Sequence, residues 1–362
     1  MLMSRILLWY RRINRRGVNR IALLAILTSI IYIFRWGHGS KVAHNATDVY
    51  SRIRHPPYDA LVNSRNPRFE YFDTAIDVRA IVTDYIMPNL KPTPGFGTNF
   101  LGVKVPHSVP PPHIKLEDME DPPLIQNWHA DLAEWGAILR SVDLARARGS
   151  TYTIMELGAG WGCWILNAGA AAKQKGLSIH TIAVEADRSM IKLMKYVQEI
   201  NGRTPAELSV FHGAASAEDG LAVWPLKSAK DADNGAISYG LEGKYGLTKD
   251  EFTQLIDTGS YEALPMVSLR KAAGGERRID LLHIDVQGAE VNVITAASMP
   301  YLKKNVAYIF VGGHSRLAEG IMHQRLAEAG WILEVDRAAI FAPGTSAILV
   351  DGAQGWRNPH LT

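Results

Sequence analysis

From about Asn127 onward the apolar residues follow two alternating rhythms. WHADLAEWGAILRSVDLARA, beginning at Trp128, sets Leu132, Trp135, Leu139 and Val142 on one side of a helix. Strand-type runs follow: YTIMEL, HTIAVEAD, ELSVFHGAA, IDLLHID, VAYIFVGGH, WILEVD and SAILVD. They are interleaved with the helical stretches GCWILNAGAAAKQ, SMIKLMKYVQEI, AEVNVITAASMPYL and RLAEGIMHQRLAEAG. Strands separated by helices predict βαβ units, hence an α/β fold with a mostly parallel, seven-stranded sheet and helices on both faces. Such sheets bind ligands beyond the carboxyl ends of their strands, near the point where strand order reverses.

Upstream the texture differs. Twelve of the 18 prolines fall between Pro56 and Pro123, a density that forbids long helices and central strands. A short helix is expected around Thr74 to Ile86, and residues 37–126 read as a partly ordered linker or lid. Before them, Ile21 to Phe34 is 14 uncharged residues between Arg20 and Arg35. With those arginines snorkelling, residues 18–36 make a membrane-anchor helix, single-pass or interfacial, behind a basic arm at 1–17. The catalytic part is then residues 127–362.

Charge sharpens this division. The first 47 residues hold seven arginines, one lysine and no acid; the rest carries 31 basic against 36 acidic side chains. The body is therefore mildly acidic and is not expected to bind nucleic acid. The arginines suit anionic headgroups, so the expected partner of the arm is a membrane. A lone cysteine, Cys163, excludes a disulfide framework and a cysteine-based zinc site.

The chemistry begins at MELGAGWGCW, Met155 to Trp164. Gly158, Gly160 and Gly162 stand two apart, behind Glu156. Glycine is needed where backbone turns sharply or approaches a ligand. A dinucleotide loop spaces its glycines G-x-G-x-x-G, and Cys163 occupies the third of those positions. An acid two residues before the first glycine suits a cationic amino-acid moiety better than a pyrophosphate. Glu185 ends the next strand, where a carboxylate can accept hydrogen bonds from ribose hydroxyls. Ala215, within His212 to Ser216, offers a small surface for an adenine face.

The E-x-G-x-G-x-G turn resembles the S-adenosylmethionine (SAM) loop of Rossmann-like class I methyltransferases. LLHIDVQGAEVNVI, Leu281 to Ile294, resembles the I-D-x-E-G-x-E segment of the FkbM-type family. AVEAD, ALPMVSLRKAAG and GGHS extend that resemblance over roughly residues 127 to 350. It implies SAM-dependent O-methyl transfer to a small-molecule or glycan hydroxyl. Asp285, Gly288 and Glu290 match the family segment; Gln287 stands for its usual Glu, Trp161 for a small polar residue, and Gly312 for an acid.

In such a site His314 and Asp285, each ending a strand, are expected to converge beside the transferred methyl. His314 would be the base, and Asp285 would orient it or hold the acceptor hydroxyl. Glu156, Gly158, Gly160, Gly162, Glu185 and Ala215 form the expected cofactor set; Gln287, Glu290 and His129 are candidate acceptor contacts. No metal is expected. Positive-inside bias favours a cytoplasmic N-terminus, but the cytosolic cofactor outweighs it and favours a cytosolic catalytic body. Two alternatives stand beside this reading: an NAD(P)-dependent oxidoreductase, and a degenerate methyltransferase fold serving as a binding module.

Overall fold

The computed structural model describes residues 71–110, 114–124, 127–149, 151–226, 243–344 and 348–362. The basic arm and the expected anchor at 18–36 lie outside these residues. Among the described residues no helix is long and apolar enough to cross a membrane. The described residues all belong to one compact unit.

Its centre is a sheet of β1 (Asp73–Thr74), β2 (Thr151–Leu157), β3 (Ser178–Glu185), β4 (Leu208–His212), β5 (Leu281–Ile284), β6 (Tyr308–Gly313), β7 (Ile332–Arg337) and β8 (Gly352–Arg357). The spatial order is β1-β7-β8-β6-β5-β2-β3-β4. Neighbours from β6 through β4 pair in parallel; β8 is antiparallel to both β6 and β7, and β1 is antiparallel to β7. From β2 the chain builds outward through β3 to β4, then returns to place β5 on the other flank of β2. That reversal is the topological switch point.

Side-chain alternation explains why both faces are covered. Tyr152, Ile154, Ala183, Tyr308 and Phe310 point into one core, closed by α2 (Leu132–Arg148), α3 (Cys163–Gln174) and α4 (Arg188–Ile200). Met155, Leu157, Ile182, Ile284 and Val311 point into the other, closed by α6 (Leu269–Ala273), α7 (Met299–Asn305) and α8 (Arg316–Glu328). A second sheet of three strands, Ala214–Ser216, Gly220–Pro225 and Tyr261–Ser268, precedes α6, with α5 (Lys249–Asp257) alongside it.

Four departures from the sequence expectation have physical causes. First, the sheet has eight strands rather than seven, because Asp73–Thr74 pairs with the outer edge of β7. Second, SAILVD does not join the main sheet: Ile348–Val350 forms a small hairpin with Ile340–Phe341, and GAQGWR is the sheet strand. Small residues are required there, since a Cβ at Gly355 would lie 2.8 Å from the Tyr308 hydroxyl. Third, AEVNVITAASMPYL is not one helix. It breaks into a 3₁₀ turn at Glu290–Asn292 and then α7, which begins beside Pro300, where proline is tolerated.

Fourth, the described part of the proline-rich region packs into the first core. It carries the short helix expected there, α1 (Val78–Asp84), and a hairpin, Phe96–Thr98 with Lys104–Pro106. Val82 and Tyr85 are fully buried, and Tyr85 Oη donates to Asp143 Oδ1 at 2.7 Å. Gly136 of α2 lets the two helices touch, for a Cβ there would lie 2.4 Å from Val78 Cβ.

Candidate active site

Register brings the candidate residues to one edge. Leu157 pairs with Val184 and with Ile284, so Gly158, Glu185 and Asp285 emerge together at the carboxyl ends of three adjacent strands. They open onto a cavity of about 900 Å³.

On one side lies the glycine turn. Gly158 (φ +73°), Gly160 (φ +52°) and Gly162 (φ +80°) all adopt left-handed backbone, which glycine alone enters freely. Their reasons differ. A Cβ at Gly158 would lie 1.8 Å from the Asp285 carbonyl oxygen, and one at Gly162 would lie 2.7 Å from Met194 Cγ. A Cβ at Gly160 would meet no atom within 4 Å, which leaves an open cradle on the cavity wall.

Glu156 and Glu185 hold this turn from either side. Glu156, buried on β2, accepts hydrogen bonds from the backbone N–H of Trp164 (3.1 Å) and Ile165 (2.9 Å). Gly162 offers no side chain to cap α3, so Glu156 satisfies the first free N–H groups of that helix. Burial pushes its pKa up to about 8, against those two bonds. It thus anchors a helix end while also lining the cavity. Glu185 accepts from the N–H of Gly160 (2.7 Å) and of Asp187 (2.6 Å), and it lines the cavity. Burial raises its pKa, while these bonds favour the anion. Each oxygen keeps acceptor capacity for a sugar hydroxyl. Ala215, buried in the three-stranded sheet, lines the same lobe beside Ala214 and Met190. The open glycine cradle, the inward carboxylate and the small apolar wall fit SAM.

The opposite lobe reverses the expected order of His314 and Asp285. Asp285 fronts the cavity, whereas His314 and Glu290 stand behind it and are not part of the lining. His314 Nδ1 is 2.7 Å from Glu290 Oε1; its Nε2 is 3.3 Å from Asp285 Oδ1 and 2.9 Å from the Gln287 carboxamide nitrogen. Burial works against charge on the imidazole. The hydrogen bond to Glu290 and the charges of Asp285, Glu290 and Asp351 outweigh it and raise the pKa to about 9. The raised pKa favours a protonated imidazole at neutral pH, whereas the Gln287 carboxamide nitrogen, a donor only, calls for an unprotonated Nε2. Glu290, fully buried, turns inward and also accepts from the Gly288 N–H, at 3.0 Å, so it faces no acceptor. Gln287 does line the cavity, donates to Asp285 Oδ1 at 3.0 Å, and holds left-handed backbone at φ +52°.

His129 reaches the cavity within an aromatic wall. Its ring centroid lies 4.8 Å from Trp128, 5.4 Å from Trp135 and 5.8 Å from Trp164. Both ring nitrogens are buried without partners among the described residues, and burial lowers its pKa to about 3. Trp128 and Trp161 stack with centroids 5.7 Å apart.

The sequence did not single out Arg337 or Asp351 for this lobe. Arg337, on β7, pairs with Asp131, the N-cap of α2, and donates to the Asp351 carbonyl oxygen at 3.0 Å. No linear motif joins these residues; β8 and the hairpin before it bring them together. Among the described residues no group of histidine, cysteine, aspartate and glutamate is arranged to hold a metal ion.

Comparison with known proteins places this architecture. No family model matches the chain. It is 37% identical over 273 residues to the "Putative methyltransferase" of Jannaschia sp. (strain CCS1), spanning 74% of this chain and 94% of that protein. The chain belongs to that methyltransferase family, and its cofactor is S-adenosylmethionine. The nicotinamide alternative is thereby set aside. Among solved structures, the methyltransferase FkbM of Methylobacillus flagellatus KT matches 62% of this chain and 54% of its own, at 11% identity and a TM-score of 0.37. The METTL16 methyltransferase domain matches 85% of this chain and 96% of its own, at 14% identity and a TM-score of 0.36. Both superpositions are too loose to bear on the chemistry.

Proposed function

We propose that the chain is an FkbM-like O-methyltransferase that moves the methyl group of SAM to a hydroxyl, on a free or lipid-linked sugar. The observation that supports this most directly is the division of one cavity into two lobes across the switch point. The glycine turn and Glu185 form the nucleoside side, and Asp285 faces them from β5 with the aromatic wall beyond.

In this reading Gly158, Gly160, Gly162, Glu185 and Ala215 receive the cofactor, and Glu156 keeps the turn in shape. The cofactor supplies an electrophilic methyl on a sulfonium. What the chain supplies is alignment and the exclusion of water. Asp285 accepts a hydrogen bond from the acceptor hydroxyl. His314, paired with Glu290, and Gln287 orient Asp285. Trp128, Trp161 and His129 offer flat apolar faces to a ring-shaped acceptor, and neutral His129 provides hydrogen bonding without charge. Residues 18–36 anchor the enzyme to a membrane, with residues 127–362 carrying the chemistry on the cytosolic side.

Calorimetric titration with SAM, followed by incubation of membranes with tritium-labelled SAM, tests the proposal. Saturable binding and label in an alkali-stable ether are expected. Absence of SAM binding overturns it, and label found only on nitrogen or carbon overturns the hydroxyl assignment.

A further inference from the structure

One buried titratable pair on the acceptor side of the cavity takes no part in the proposed cofactor and acceptor contacts. Glu134 lies in the first turn of α2, lines the cavity and keeps 18% of its side chain exposed. Behind it is His283 of β5, whose side chain is 2% exposed and whose Nε2 is 3.3 Å from Glu134 Oε1. The imidazole is clamped between aromatic neighbours: it stacks on Phe310 with centroids 5.4 Å apart and tilts against Trp164 at 5.7 Å. Its Nδ1 is buried with no hydrogen-bond partner among the described residues. A histidine kept for structure alone ordinarily has both nitrogens satisfied. Among the described residues this one has one hydrogen-bond partner, Glu134, which opens onto the cavity.

Asp285 is held for orientation: its Oδ1 already meets His314 Nε2 at 3.3 Å and the Gln287 amide at 3.0 Å. Burial raises its pKa, and the charges of His314 and His283 work against that rise.

Building on the methyltransferase reading, we propose that the Glu134–His283 pair receives the proton of the acceptor hydroxyl while Asp285 orients that hydroxyl. The acceptor oxygen bonds to the methyl carbon as the carbon–sulfur bond breaks, and its electron pair stays on sulfur, leaving a thioether. The hydroxyl proton passes to the Glu134 carboxyl, and the carboxyl's own proton passes to His283 Nε2. The positive charge lost from sulfur thus reappears on a buried imidazole. Burial opposes that cation and the charge of Asp285 favours it. The resting state suits this relay. Burial, then the charges of Asp131 and Asp285, raise Glu134 well above the carboxylate range, and burial lowers His283 to about 4. The directions of both shifts favour a carboxylic acid facing a neutral imidazole.

The test uses the full chain, tritium-labelled SAM and a heat-treated cell extract as the acceptor pool. Glu134→Gln is expected to slow transfer by about a hundredfold while SAM affinity, read by calorimetry, stays within about twofold of wild type. Glu134→Asp should recover part of the rate. The wild-type rate should be flat between pH 6 and 8. In His283→Asn the carboxyl can no longer pass on its own proton, so the rate should climb with pH as Glu134 ionises. Nitrogen-15 spectra of labelled histidine should show His283 neutral at pH 7. Should Glu134→Gln fail to bind SAM, Glu134→Asp and His283→Asn decide the matter. Wild-type rates and a flat profile in these variants, or a charged His283 at pH 7, overturn the relay alone. A wild type that binds no SAM or transfers no label overturns the methyltransferase reading, and the relay with it.

Discussion

The carbonyl oxygen of Asp285 occupies the space that a side chain at Gly158 would need. A Cβ built on Gly158 falls 1.8 Å from that oxygen, and the residue stands at φ +73°. The end of β5 is therefore seated on the glycine turn itself, and the two lobes of the cavity meet backbone to backbone at this point. Gly158→Ala is expected to destabilise the chain by about 3 kcal/mol or more, from the clash together with the left-handed backbone. Gly160→Ala, whose Cβ would enter open space, should cost about 1 kcal/mol and chiefly weaken SAM binding. Urea unfolding and SAM calorimetry on the two variants check this separation; equal stability losses would count against it.

Glu185 is the only carboxylate bridging the glycine turn and the start of α4, through the N–H groups of Gly160 and Asp187, among the described residues. Glu185→Ala should weaken SAM affinity by about tenfold to a hundredfold, the loss of one or two hydrogen bonds to a charged group. Unchanged affinity by calorimetry would remove Glu185 from the cofactor site.

The Arg337–Asp131 pair is buried, at 7% and 1% exposure, and fixes the N-terminus of α2 that carries Glu134. Arg337→Met should cost about 3–5 kcal/mol, because it strands a buried carboxylate. Adding Asp131→Asn should recover part of that loss. A double variant as unstable as the sum of the two single ones would show that they do not act as a pair.

His314 makes stability depend on pH. Its folded pKa, about 9, lies above the ordinary histidine value of 6.5, since Glu290, Asp285 and Asp351 together outweigh the effect of burial. The folded chain thus holds a proton that the unfolded chain releases. The stabilisation, on the order of 3 kcal/mol, is complete below about pH 6.5 and is lost as pH rises through about 9. Urea midpoints measured from pH 6 to 10 should fall in the wild type and fall less in His314→Gln. Parallel curves would show that the imidazole carries no excess proton.

Much of the nucleotide side was legible in the chain because its determinants are local. A three-glycine turn after a strand, and an acid closing the next strand, can be read off a few residues apiece. The strands from β2 to β6 were legible for a similar reason: two covered faces demand continuous apolar runs. β8 was not, since Gly352, Ala353 and Gly355 are selected for close approach, and no hydrophobic pattern marks them. Glu156 stands out beside the glycines, but its engagement with Trp164 and Ile165 depends on how the helix start folds back. Glu134 and His283 are 149 positions apart, and only the packing of α2 across β5 makes them neighbours.

The short strand β1 has a practical consequence. Thr74 and Ala75 bond to the Glu334 carbonyl across some 260 positions of chain, covering the outer rim of β7. An expression fragment trimmed to begin at residue 127 would strip that cover away. It would bare a row of unpaired amides and the greasy underside of α2, and so invite edge-to-edge aggregation. Fragments meant for crystallisation or assay need to keep residue 71 onward.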